Sequence, residues 1–258
     1  MKTLVLAAIR CSLLFLVPSI IYGSSAQWDL DPISGDWNTA DNWTPMGVPN
    51  GPADIATFDL SNTTDVSISA NTEVNGITFT SAATNPYTIT ASPGLTLTIS
   101  GVGITNNSGV NQTLMTVADA SGNFGTIRFF NSATAGSNVS IFNEGGSTNF
   151  FNSSTAGSAF IENDFGSTNF FNSSSAGSAI IDFGSTNFFN SSTAGNADIE
   201  EGTTNFSVAP LRATRPSCLA QRIFSIAPVP VAHSSVWAQR TFSTDPLRAT
   251  RTSTTKSQ

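Results

Sequence analysis

Between Gln27 and Phe206 the chain has no cysteine, no histidine and no lysine, and Arg128 is its one positive side chain against sixteen carboxylates. Lacking cysteine, this stretch cannot be held by disulfides. Lacking cations, it has nothing with which to grip a phosphate backbone or an anionic lipid surface, which sets nucleic acid aside as a partner. Cys11, Cys218 and His233 all lie in the flanks. Long apolar runs are missing too. After the first 26 residues nothing approaches the ~18 apolar residues of a spanning helix, so no membrane span is expected in the mature chain. Charge of either sign is sparse, at 10 % of the 258 residues. What fills the space is Asn, Ser, Thr, Gly and nineteen Phe. Ser and Asn compete with helical hydrogen bonds, while Thr and Phe fit strands, so very little helix is expected.

A block of the form G-S-T-N-F-F-N-S-S-T-A-G-S-A-x-I recurs between Gly125 and Phe206. Its leading Phe falls at Phe129, Phe150, Phe170, Phe188 and Phe206, in steps of 21, 20, 18 and 18 residues. A unit this short cannot bury an apolar face alone and must stack on its neighbours. The spacing therefore predicts an all-β parallel β-helix with coils of 18–21 residues. In the first copy Ile127 and Phe129 share one face and Arg128 the other. An unpaired Arg is not buried, so the inward stack is assigned to Phe129, Phe150, Phe170, Phe188 and Phe206. A second strand follows the Ala-Gly turns at Ala135, Ala156, Ala176 and Ala194. It supplies the inward pairs Val139/Ile141, Ala159/Ile161, Ala179/Ile181 and Ala197/Ile199. Asn152, Asn172 and Asn190 are expected in left-handed turns, laddering their amides up the stack or simply facing water. Phe151, Phe171 and Phe189 form an exposed aromatic rib, or turn inward at the Asn corner.

Upstream, residues 1–26 read as an export signal, with Lys2, a broken apolar stretch and small residues Ser24 and Ala26 before Gln27. Residues 27–60 hold Trp28, Trp37 and Trp43 among Pro45, Pro49 and Pro52, and read as a loop-rich cap on the end of the stack, or as a ligand-binding surface. Residues 61–123 alternate in short apolar runs and read as irregular coils, and 124–206 as the regular ones.

Beyond Phe206 the composition inverts. Residues 207–258 carry seven of the ten Lys and Arg, five of the twelve prolines and one acid, Asp245. With that proline content they are expected to be disordered. Yet Phe206-Ser207, Phe224-Ser225 and Phe242-Ser243 keep the 18-residue step, as do Ala220-Gln221-Arg222 and Ala238-Gln239-Arg240. A repeat read in a shifted frame behaves this way. One allowed codon choice for Leu211 to Phe224, read two bases later, encodes A-G-N-A-A-I-M-F-G-A-T-N-F, close to A-G-N-A at Ala194 and F-G-S-T-N-F at Phe183.

The segment G-D-W-N-T-A-D-N-W-T-P at Gly35 to Pro45, followed by S-S-T-A-G turns, resembles the passenger region of bacterial autotransporters and related surface β-solenoids. The resemblance spans roughly residues 28 to 206. It implies a right-handed β-helix, exported to the periplasm or the cell surface of a Gram-negative bacterium. It also implies a structural or adhesive role and contacts with a host-cell surface or extracellular glycans. It departs from the family in showing no C-terminal series of barrel strands. Three function classes are weighed: a structural or adhesive passenger, with a truncated product of no function as its variant if the frame is shifted, a carbohydrate-binding module using Trp28, Trp37 and Trp43, and a glycan-cleaving β-helix. The acids Glu144, Glu162, Asp164, Asp182, Asp198, Glu200 and Glu201 read as solvated turn charges, with a loose calcium site near Asp164 or Asp198 as the other reading. No catalytic residue, cofactor or metal is assigned, and a monomer is expected.

Overall fold

The period-two pattern of buried and exposed residues builds two sheets, as the sequence spacing requires. A computed structural model describes residues 24–207, 221–225 and 241–242. The signal segment therefore lies outside the described residues, save for Ser24, Ser25 and Ala26, and so does most of the tail. Among the described residues the structure is a β-solenoid, and its one helical turn is a 3-10 turn at Ala40–Asn42.

Each coil lays one strand in a twelve-stranded sheet and one in a seven-stranded sheet. In the regular region the first sheet takes Thr126–Phe129, Ser147–Phe150, Ser167–Phe170, Ser185–Phe189 and Thr203–Ser207. The second takes Val139–Glu144, Phe160–Glu162, Ile180–Asp182 and Asp198–Glu200. All of these pair in parallel, and like residues face like: Phe150 lies opposite Phe129 and Phe170, and Phe188 opposite Phe206. A narrower third side carries single parallel bridges, Thr134 to Thr155 to Ser175 to Thr193.

The core follows from this register. Phe129, Phe150, Phe170 and Phe188 are fully buried and Phe206 is 5 % exposed. Their rings stack at centroid distances of 4.7, 4.8, 4.8 and 4.9 Å, tilted by no more than 12°. That separation is the rung spacing itself. The Ala and Ile pairs of the second strands are buried opposite them. At the Ala-Gly turns, Gly157, Gly177 and Gly195 take φ near 60° and leave no room for a side chain. A Cβ on Gly177 would stand 2.5 Å from the carbonyl oxygen of Gly157. Only glycine allows adjacent coils to nest there.

Trp28, Trp37 and Trp43 close the N-terminal end. Their rings pack edge to face at 5.0 Å, and each also meets Phe58. Every indole N–H donates to a backbone carbonyl: Trp28 to Thr63, Trp37 to Pro49 and Trp43 to Trp37. The cap ends sooner than residue 60, because Gly51–Phe58 is already a strand of the twelve-stranded sheet, paired with Thr72–Phe79.

Of the tail over 207–258, expected to be disordered, two stretches past Ser207 are described. Gln221–Ser225 is a strand parallel to Thr203–Ser207, with Phe224 opposite Phe206, and Thr241–Phe242 pairs antiparallel to it. The absence of Pro within Gln221–Ser225 leaves every ladder N–H in place, which is why this stretch can pair.

Candidate functional site

Three groups of side chains are candidates for function, and the structure sorts them by exposure. Trp28, Trp37 and Trp43 are 0, 0 and 1 % exposed. Stacking on a sugar needs an open ring face, and no face of these indoles is open. The ligand-binding reading of the tryptophans is therefore corrected: indoles rimmed by Pro and Gly signalled a surface, but their N–H groups found carbonyls inside the cap and their rings found one another. They act as the seal of the stack.

The outer face of the twelve-stranded sheet carries a second group. Alternation that sends Phe150 inward sends Asn149 and Phe151 outward. Phe130, Phe151, Phe171 and Phe189 stack at 4.6, 4.8 and 4.8 Å, half-buried, with ring planes within 11°. The exposed-rib alternative is the one realised. Beside it runs an amide ladder: the Nδ2 of Asn169, Asn187 and Asn205 donates to the Oδ1 of Asn149, Asn169 and Asn187, at 2.8 Å each. Sequence reasoning placed its ladder three residues on, at Asn152, Asn172 and Asn190. Those residues do adopt φ of 57–59°. Asn152 does ladder its amide, donating to Asn131 Oδ1 at 3.3 Å, while Asn172 and Asn190 accept from the backbone N–H of Asn152 and Asn172 in the preceding coils at 3.3 Å. The mid-strand Asn makes the better ladder because the parallel register holds its amide at one rung spacing.

The third group is acidic. On the outer face of the seven-stranded sheet Glu162, Asp182 and Glu200 lie in register on consecutive rungs. Asp182 has its carboxyl raised above the ordinary value by partial burial, then by Glu201 and Asp198. Glu200 is raised chiefly by Asp198, with smaller contributions from slight burial, Asp182 and Glu201. Like charges one rung apart disfavour full ionisation. The sequence showed the acids but not the column, because the step from 20 to 18 residues shifts their numbering relative to one another. The calcium reading for Asp164 or Asp198 gains nothing: among the described residues no group of three or more His, Cys, Asp or Glu could hold a metal ion.

Inside the bend between the sheets is a buried amide network. Asn143 Oδ1 accepts from Thr116 and Thr148, and Asn143 donates to Asn163 Oδ1, which also accepts from Thr168. The next two coils lack the Asn. Asn163 Nδ2, at the edge of that gap, and the hydroxyls of Thr186 and Thr204 within those coils are buried without partners.

No known protein family matches this chain, and neither the curated proteins nor the solved structures contain one detectably similar to it.

Proposed function

We propose that the chain is an exported, non-catalytic solenoid of the passenger type, acting as a structural or adhesive surface at the bacterial cell envelope. The observation that carries this is the outer face of the twelve-stranded sheet. Over successive rungs it repeats a column of amides beside a column of half-buried phenyl rings. Such a face multiplies one weak contact by the number of rungs, which is how a repetitive surface gains avidity. A cleaving enzyme instead needs a positioned acid and base around one scissile bond. The carboxylates here lie along a sheet face whose described strands carry no cation, which suits attraction better than turnover.

Export rests on the leader-like residues 1–26, and the shifted frame rests on the conserved 18-residue step beyond Phe206. The in-register pairing of Phe224 with Phe206 supports that step as a coil period. Sequencing the gene around Asn205 tests it directly, since the alternative frame must continue F-G-S-T-N-F-type coils. For adhesion, beads coated with the purified chain are offered to host cells and extracellular matrix. Retention that drops on replacing Phe151 and Phe171 by Ser supports the proposal. Retention unchanged by that pair, or absent on every surface while glycan turnover is found, defeats it.

A further inference from the structure

The outer face of the seven-stranded sheet carries large apolar groups where a solvated turn would have none. Phe160 lies opposite Ile180, and Phe142 meets Phe160 edge-on at 6.2 Å. Ile180 is 48 % exposed. One step along the same strands runs the column Glu162, Asp182 and Glu200. Past the column the chain turns at Phe165 and Phe183, whose exposures are 94 and 42 %. The face thus sets a carboxylate column, headed by Phe142, between the pair Phe160 and Ile180, which Asp198 follows on the next rung, and the corner residues Phe165 and Phe183. Open apolar groups clustered this way and rimmed by polar ones mark contact surfaces. The described cations, Arg128 and Arg222, both belong to strands of the twelve-stranded sheet, so neither comes from this one.

We propose that this face docks an extended basic segment of another protein, its Lys or Arg heads on Glu162, Asp182 and Glu200 and its apolar residues against Phe160, Ile180, Phe165 and Phe183. Charge complementarity selects the occupant. An acidic partner would be repelled by the column, and so would a second copy of a body with sixteen carboxylates and one Arg. A purely apolar partner would bury the column without compensation. Lys and Arg satisfy both parts, because their alkyl stems lie along apolar surface while the charge reaches beyond it. The open ring of Phe165 adds a face for a cation. Three rungs span about 10 Å, the reach of roughly three to four extended residues, so a short segment suffices. The inference does not depend on where the chain is displayed, since it concerns purified protein.

The test uses the full chain and a fluorescein-labelled peptide of six Lys-Leu pairs, with a Glu-Leu peptide of equal length as counterpart, followed by anisotropy at low salt. Expected are binding of the Lys-Leu peptide alone and a loss of about tenfold for each of two double variants. These are Asp182→Asn with Glu200→Gln, and Phe165→Asn with Phe183→Asn. Asn accepts a left-handed backbone, so the second pair keeps the corners intact. A third double variant at exposed apolar residues outside this sheet, Leu30→Ser with Val102→Ser, is expected to bind as the parent does. Equal binding of both peptides, unchanged affinity in either of the first two variants, or an equal loss in the third overturns the proposal. Binding seen only after Arg212→Ser and Arg215→Ser also overturns it, because the occupant is then the chain's own C-terminal segment.

Discussion

Phe165 holds a φ of 55° with its ring 94 % exposed, a combination that does nothing for the fold. A left-handed backbone costs a bulky residue about 1–2 kcal/mol, and an exposed ring regains none of it by burial. Phe165→Asn is therefore expected to raise the thermal midpoint by about 2–4 °C per kcal/mol relieved, as read by differential scanning calorimetry. An unchanged or lower midpoint would show that the ring contributes to folding after all. Phe170 is the opposite case. It is fully buried and stacked at 4.8 Å on both Phe150 and Phe188. Phe170→Ala removes the ring from two interfaces at once and is expected to destabilise by about 3–5 kcal/mol in a urea titration. Less than about 1 kcal/mol would mean that the coils collapse into the gap. The two residues stand five apart in one repeat, and composition alone does not separate them. Strand alternation does, since it places Phe170 inward and leaves Phe165 at the corner.

Coil length decides which polar groups inside the solenoid are satisfied. The stretch Ile161-Glu162-Asn163-Asp164-Phe165 becomes Ile181-Asp182-Phe183 one coil later, two residues shorter. What disappears is the Asn that would pair with Thr186 and receive Asn163, as Asn163 pairs with Thr168 and receives Asn143. Buried groups left this way cost about 1–3 kcal/mol each. Inserting Asn-Asp between Asp182 and Phe183 restores the longer coil and is expected to raise the urea midpoint, whereas inserting Ser-Ser is not. An equal gain from both would assign the effect to length rather than to the amide. This dependence was not legible in the sequence, although the coils were. The recurring Phe, the Ala-Gly turns and the inward Ala-Ile pairs declared themselves by periodicity, and the register confirms each position. The amide ladder expected at Asn152 is realised in its bond to Asn131, while the longer ladder lies three residues earlier, because both Asn of the repeat recur equally well. Only the backbone shows that Asn149 lies in a strand and Asn152 in a corner. The carboxylate column stayed hidden for a related reason, since unequal coil lengths obscure which acids become neighbours.

Stability in a stacked molecule is a sum of rungs and interfaces, so the two ends need not melt together. The N-terminal end is sealed by Trp28, Trp37, Trp43, Phe58, Phe79 and Tyr87, all buried and in mutual ring contact. The last regular coils carry Asp182 and Glu200, and the orphaned hydroxyls of Thr186 and Thr204. Both carboxyls are raised in the folded state, so folding disfavours their ionised form. The resulting penalty is absent at low pH, sets in as pH rises past the ordinary values of 3.8 and 4.5, and is complete above the raised ones. Asp119 runs the other way: hydrogen bonds from Asn123 lower it, so its contribution is present above 3.8 and lost as pH falls further. Stability of the last coils is thus expected to rise as pH falls from neutral toward the ordinary carboxylate range and to level off below it, while the loss at Asp119 falls on an earlier coil. Indole fluorescence reports the N-terminal seal, while far-UV circular dichroism reports every rung. At neutral pH the dichroism is expected to fall at a lower temperature than the fluorescence shifts, and the gap is expected to close on acidification toward pH 4.5. Replacing Asp182 by Asn closes part of the gap at neutral pH by the same logic. Transitions that coincide at neutral pH and separate in acid would place the weaker end at the tryptophans and reverse this account of the stack.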